Sequence, residues 1–142
     1  MNIRQLKSGE EQVLIAVTRE FNNVELPETK ASELLRDKSF VMIVAEQKSK
    51  IIGRAYGHIL RRPELDDFFL YEIDVTEDHQ REGAGRAMVE FFSSMCRERR
   101  LAEMFVATEV SNGPANALYR STGGVEEGSP ANIFVYKLQQ PS

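Results

Sequence analysis

Apolar residues recur along this chain with a period that changes several times, and each change marks an element. After a short extended start at residues 2–6, Val13, Leu14, Val17 and Phe21 fall at helical spacing. Ser8-Gly9-Glu10-Glu11 just before them has the form of a capping box, in which a hydroxyl and a carboxylate three residues on satisfy free backbone N–H groups. A second short helix is predicted from about Glu28 to Asp37, burying Leu34 and Leu35. The pattern changes at Phe40. Val41-Met42-Ile43-Val44-Ala45 is apolar on both faces, as in a central strand. Gln47-Lys48-Ser49-Lys50 reads as a turn, Ile51 to Leu60 as a returning strand, Arg61 to Asp67 as a charged loop and Phe68 to Val75 as a third strand. Residues 84–99 follow as a helix with Ala87, Met88, Phe91, Phe92, Met95 and Cys96 on one stripe. Arg97, Arg99 and Arg100 stand at its C-terminal end, where the dipole favours positive charge. Met104 to Val110 is predicted as a strand. Pro114 to Thr122 is a short helix with Pro near its first position and Gly123 and Gly124 at its end, and Ile133 to Leu138 is a closing strand.

The order is β-α-α-β-β-β-α-β-α-β. A meander followed by two β-α units implies an α+β (mixed α/β) architecture, a mixed sheet flanked by helices. The 142 residues suit one domain spanning 1–142, without repeats or linkers.

Composition narrows the class. Hydrophobic residues at 42% and charged residues at 28% are ordinary globular usage and argue against disordered or fibrous classes. The longest apolar run, Phe40 to Ala45, is far short of the roughly 20 residues a membrane span needs. Met1 to Lys7 lacks the apolar core of a signal peptide. The single Cys96 allows no internal disulfide, and its spacing with Met88, Phe92 and Met95 reads as core rather than nucleophile. A cytoplasmic location is therefore expected. The net charge of −4 argues against a nucleic-acid partner and is compatible with a small cationic substrate. His58 and His79 read as ordinary surface or strand residues, and no cluster has metal-ligand spacing, so no metal is expected.

The segment from Val75 to Arg86 carries the most chemistry. A strand ends, a polar turn follows, and Gly83 and Gly85 flank Ala84 where the long helix begins. Glycines there let the backbone approach a ligand, and the first helical turn offers free N–H groups and the positive dipole end. Arg81 and Arg86 add charge, so the segment is a candidate pyrophosphate cradle; the plain alternative is a tight strand-to-helix turn. It lacks the Gly-Lys-Ser/Thr of a P-loop and the full glycine pattern of a Rossmann fingerprint. Directly before this segment, Glu72 and Asp74 are two residues apart on a strand and share one face, with Tyr71, Ile73 and Val75 on the other. Two acids on one face of so apolar a strand need a reason. Either that face is solvated or ion-paired to an arginine such as Arg54, or the acids do chemistry.

Gln80-x-x-Gly83-x-Gly85 matches the Gln/Arg-x-x-Gly-x-Gly/Ala signature of the GNAT superfamily of N-acetyltransferases. Asn112-Gly113-Pro114-Ala115-Asn116-Ala117-Leu118-Tyr119-Arg120-Ser121-Thr122-Gly123 resembles that family's Asn-x-x-Ala-x-x-Leu-Tyr-x-x-x-Gly helix. Gly124 departs from it, since many members carry Phe or Tyr there, and this could loosen packing beneath the helix. The resemblance runs from residue 1 to about 138. Tyr71 to Val75 and Pro114 to Tyr119, with Glu126-Glu127 just after, look most like the aminoglycoside 3-N-acetyltransferases of the gentamicin type.

That resemblance implies the GNAT fold, a central mixed, mostly antiparallel sheet splayed at the cofactor site and flanked by helices. Acetyl-CoA would lie in the opening as cosubstrate. Backbone groups of Ile73, Asp74 and Val75 would pair with the pantetheine arm, and Gln80, Arg81, Glu82, Gly83, Ala84, Gly85 and Arg86 would form the pyrophosphate loop. Asn112, Ala115 and Tyr119 would line the far side. Glu72 aligns with the acidic position that holds and deprotonates the acceptor amine, Asp74 would help bind its charge, and Tyr119 would protonate the departing sulfur. The plain alternative for Tyr119 is packing in the Ala115, Leu118, Tyr119, Thr122 stripe. Glu109, Glu126 and Glu127 would extend an acidic rim for further ammonium groups, or simply be solvated.

The activity so implied is direct acetyl transfer in a ternary complex to the 3-amino group of an aminoglycoside, giving resistance. The alternatives are a GNAT enzyme for another small amine, a polyamine or a protein N-terminus, and a non-catalytic acetyl-CoA-binding regulator. A homodimer is compatible with each.

Overall fold

The computed structural model of this chain describes residues 1–128 and 130–139. Strand β1 (Asn2–Gln5) leads into helices α1 (Glu11–Asn22) and α2 (Glu28–Arg36). Three long strands follow, β2 (Phe40–Gln47), β3 (Lys50–Leu60) and β4 (Asp67–Val75). A short 3-10 turn (Glu77–His79) precedes α3 (Ala84–Glu98), then come β5 (Met104–Phe105) and α4 (Gly113–Ser121). The five strands form one sheet in chain order, antiparallel except for the parallel β4–β5 pair. This is a mixed, mostly antiparallel sheet flanked by helices, as the resemblance implies.

β2 is buried on both faces because the sheet is covered on both. Val41, Ile43 and Ala45 pack with Phe68, Leu70, Met88 and Phe92 on the α3 side. Phe40, Met42 and Val44 pack with Leu14, Val17 and Ala31 on the α1 and α2 side. Cys96 is buried on the α3 stripe, as its spacing predicts.

One irregularity shapes the molecule. Tyr56 pairs with Glu72 but Gly57 pairs with Leu70, so Tyr71 is an extra residue in β4. Gly57 allows this, since a Cβ there would lie 2.3 Å from the Phe69 carbonyl oxygen and 2.6 Å from Phe68 Cζ. A bulge of this kind bends its strand and increases local twist. Only Phe68 and Phe69 pair with β5, and beyond them the two chains part. For that reason β5 ends at Phe105, where the sequence predicts a strand to Val110.

Two further expectations fail locally. The capping box does not form: α1 starts at Glu11, Ser8 Oγ reaches the Leu35 carbonyl at 3.4 Å, and Glu10 is bound to Arg4 and to the Lys7 N–H. The closing strand predicted over Ile133–Leu138 is absent, and Ile133, Phe134, Val135, Tyr136 and Leu138 are 72–88% exposed. That segment has strand composition, but a strand exists through its partner's hydrogen bonds, and no described strand lies beside it. Among the described residues, no helix is long and apolar enough to cross a membrane.

Candidate active site

Where β4 and β5 part, a cavity of about 910 Å³ opens. Tyr71 to Val75 form one wall, Val106 to Thr108 and α4 the other, and the first turn of α3 the end. The space begins where the β4–β5 pairing stops at Phe69, two residues before the extra residue Tyr71. Without the divergence, β4 and β5 would be hydrogen-bonded along their length and no space would exist between them.

The loop into α3 is held in an unusual backbone path. Arg81 (φ 67°) and Gly83 (φ 91°) are both left-handed, and Gly83 is the N-cap of the helix. The first intrahelical bond is from the Ala87 N–H to the Gly83 carbonyl, so the amides of Ala84, Gly85 and Arg86 have no acceptor within the helix. With the helix dipole behind them they form an anion site. Nothing lies within 4 Å of where a Gly83 Cβ would stand, so that face of the loop is open. Gly85 does something else: its Cβ would come 3.3 Å from Leu118 Cδ2, so it lets α3 approach α4. Gln80 Nε2 donates to the Val75 carbonyl at 3.3 Å and ties the loop to the strand end. Thr76 Oγ1 at this strand end is buried without a hydrogen-bond partner. Open glycine and free amides fit a bound pyrophosphate, while Thr76 is not part of the cavity wall. The Glu82 side chain is drawn to His79 Nδ1 at 2.9 Å and does not border the cavity, whereas His79 does.

Glu72 and Asp74 do share a face, and that face borders the cavity. The ion pair with Arg54 is present too: Arg54 Nη2 donates to Glu72 Oε2 at 2.5 Å and to Asp74 Oδ2 at 2.8 Å. Asn22 Nδ2 at the end of α1 donates to the same Glu72 oxygen at 3.2 Å. The carboxylates nevertheless remain 32% and 47% exposed. Ile73 and Val75 point to the α3 core as expected, but Tyr71 does not join them. The bulge turns its ring onto that of Tyr56, stacked at 5.6 Å, on the side of the acids.

Across the cavity stands Tyr119. Its ring packs against the α3-side core, and burial, then the negative charge of Asp74, holds its phenol above the ordinary value of 10.0. It is thus a protonated donor at neutral pH. Asn112 caps α4, its side chain accepting from the Ala115 N–H at 3.2 Å, and both residues border the cavity. Gly124 is required rather than loose: its N–H donates to the Tyr119 carbonyl at 2.8 Å, and a Cβ would lie 2.8 Å from that oxygen. Tyr56, beside Glu72, has its phenol pushed up to about 12, by burial first and then by Glu72.

The structure thus gathers Glu72, Asp74, the cradle and Tyr119 around one cavity. It does not bring Glu109, Glu126 or Glu127 to its wall. Glu126 folds back onto Arg120, whose Nε donates to it at 2.8 Å, and Glu109 and Glu127 are exposed to solvent. Phe21, Asn22 and Arg54 also border the cavity. Phe21 was visible in the sequence only as a core position, and Asn22 carried no signal. Arg54 was visible as an arginine in an apolar strand. Among the described residues, no group of three or more His, Cys, Asp or Glu side chains could hold a metal.

Residues 10–123 match the model of the acetyltransferase (GNAT) family, and the chain belongs to that family. It is 34% identical over 82 residues to the ribosomal protein bS18-alanine N-acetyltransferase of Escherichia coli, covering 58% of this chain and 55% of that protein's length. The chain therefore matches only about half the length of this curated relative. In fold it is similar to an aminoglycoside acetyltransferase from an uncultured soil metagenomic sample solved with sisomicin (TM-score 0.84, 22% identity, 95% of each chain). It is also similar to AAC(6')-Iy in complex with the bisubstrate analogue CoA-S-monomethyl-acetylneamine (TM-score 0.78, 15% identity, 95% of this chain and 97% of that one).

Proposed function

We propose that this N-acetyltransferase transfers the acetyl group of acetyl-CoA to the 3-amino group of an aminoglycoside, in a ternary complex, and so confers resistance. The observation that carries this reading is the placement of an acidic pair, an anion cradle and a protonated phenol around one cavity. Acetyl-CoA supplies the activated acetyl group. The amides of Ala84 to Arg86 hold its pyrophosphate, and the backbone of Ile73 to Val75 aligns its arm. Glu72 and Asp74 hold the acceptor ammonium, and Glu72 accepts a proton from it so that a neutral nitrogen faces the thioester. As the new C–N bond forms and the C–S bond breaks, Tyr119 gives its phenolic proton to the departing sulfur, and the second proton lost by the nitrogen restores the phenol through water. The metagenomic and AAC(6')-Iy enzymes support an aminoglycoside acceptor on this fold.

A second reading, an α-amine at a protein N-terminus, is favoured by the similarity to the bS18-alanine enzyme and by Arg54, which cancels one of the two acidic charges. A thiol-release assay with acetyl-CoA separates them, run against gentamicin, sisomicin, spermidine and peptides with N-terminal alanine. Turnover of aminoglycosides with the 3-amino group modified supports the first reading. Turnover of peptides alone moves the assignment to the second, and turnover of neither removes both.

A further inference from the structure

Two carboxylates on one strand face repel each other, and an isolated pair at contact tends to share a proton. Glu72 and Asp74 are not isolated. Arg54 lies directly opposite Asp74 in the β3–β4 register, and Tyr56 lies opposite Glu72, so the guanidinium is diagonal to Glu72. Its single Nη2 donates to one oxygen of each acid. The guanidinium is only 1% exposed and lies against the rings of Phe21 and Tyr56, 5.4 Å and 5.3 Å from their centroids. Its Nε is buried with no hydrogen-bond partner. A buried guanidinium with a bond unmade is destabilising unless its other contacts offset it. Those contacts are the two acids and the two ring faces. Among the described residues nothing donates to Glu72 Oε1 or Asp74 Oδ1, and both side chains stay partly exposed.

We propose that Arg54 is a positioning residue that fixes Glu72 and Asp74 as one clamp and turns Glu72 Oε1 and Asp74 Oδ1 toward a single ammonium, which on the acceptor reading above is that of the reacting amine. Two carboxylates and one guanidinium leave one net negative charge, which one ammonium neutralises. The clamp therefore selects for one charged nitrogen at the reaction point, and any further ammonium groups of the acceptor bind elsewhere. The other groups facing the clamp are Tyr56 from β3, Asn22 from α1, Tyr71 from β4 and Tyr119 from α4, while His79, Arg81 and Arg86 border the cavity on the cradle side.

The test needs no acceptor, so the clamp and the acceptor assignment can fail separately. Crystal structures of the unliganded parent, of Arg54→Met and of Arg54→Lys read the placement of the Glu72 and Asp74 carboxylates directly. In the parent each should hold one conformer, with Glu72 Oε1 and Asp74 Oδ1 converging on one point in the cavity. In Arg54→Met at least one of the two should lose that conformer, because the shared donor is gone, and Arg54→Lys should restore part of the order. Where an aminoglycoside turns over, kcat should fall in Arg54→Met and recover in part in Arg54→Lys. Carboxylates of Arg54→Met that superimpose on the parent's would overturn the proposal. Should Arg54→Met not fold, the parent itself decides, and free oxygens that diverge instead of facing one point would overturn it equally.

Discussion

Glu72→Gln separates chemistry from architecture because of what surrounds Glu72. A glutamine oxygen can still accept from Arg54 Nη2, now at 2.5 Å, and from Asn22 Nδ2, at 3.2 Å. Arg54 also keeps Asp74 at 2.8 Å, so its buried charge is not orphaned. Losing the last partner of a buried ion costs about 3–5 kcal/mol. Here one of two carboxylates is lost, from a side chain 32% exposed, and we expect a stability loss of about 1 kcal/mol. The chemical effect should be larger. Glutamine cannot take the proton of the acceptor amine, and a fully used general base contributes about 100-fold or more. That corresponds to about 2.7 kcal/mol on the barrier. Acetyl-CoA affinity should stay within about twofold, because the cradle is backbone from Ala84 to Arg86, and removing a side-chain charge does not reorganise a helix terminus. The assay is thiol release at saturating acetyl-CoA with an aminoglycoside acceptor, beside calorimetry for acetyl-CoA and a thermal melt. A folded Glu72→Gln protein with the parent's kcat would refute the assignment of Glu72 as base. A parallel loss of acetyl-CoA affinity would show that the substitution disturbs the cradle instead.

The other predictions follow from the same cavity. Tyr119→Phe keeps the packed ring and removes only the donor, so kcat should fall about 10- to 1000-fold with the melting temperature nearly unchanged; an equal kcat would leave Tyr119 as packing. Gly83→Val places a β-branched residue at φ 91° and a side chain in the open face of the loop, and should weaken acetyl-CoA binding by calorimetry. Gly85→Val should press on Leu118 and lower the melting temperature as well, and unchanged affinity in both variants would place the cradle elsewhere. The Tyr56 phenol, held up to about 12, binds its proton more tightly folded than unfolded. The stability it gives is complete below about pH 10 and lost as pH rises toward about pH 12, so denaturation series should show that loss flattened in Tyr56→Phe. The same alkaline slope in both proteins would contradict it.

The helices and the central strands were legible because their apolar spacing is a property of single segments. α2 and α3 fall within a residue of their expected bounds, and β2 is buried along most of its length, as a two-sided apolar run requires. What failed depends on partners. The box at Ser8 needed the Ser8 hydroxyl and the Glu11 carboxylate to bond each other's backbone N–H, but the hydroxyl goes to the Leu35 carbonyl on α2 and Glu11 accepts from the Gly9 N–H. Ile133 to Leu138 has the residues of a strand and no neighbour to pair with among the described residues.

The bulge at Tyr71 shows why the site was only half legible. Alternation along Tyr71-Glu72-Ile73-Asp74-Val75 puts Glu72 and Asp74 on one face, and that much holds. The same alternation puts Tyr71 on the opposite face, and that fails, because alternation assumes one residue per register position. The extra residue is dictated from the neighbouring strand, where Gly57 admits the Phe69 carbonyl and the Phe68 ring into space a Cβ would fill. A glycine inside an apolar strand is a visible sign of close backbone approach. It does not say on which strand, or at which residue, the approaching chain will slip. The register that follows also decides the fate of Arg54. Opposite Asp74 and diagonal to Glu72 it bridges both acids, and one register position away its side chain would have faced the α3 core. Ion pairing and catalysis, which the residues alone present as rival explanations for two acids on one face, are compatible once the register is known, since Arg54 takes one oxygen of each acid, leaves the other without a donor among the described residues, and both side chains still border the cavity.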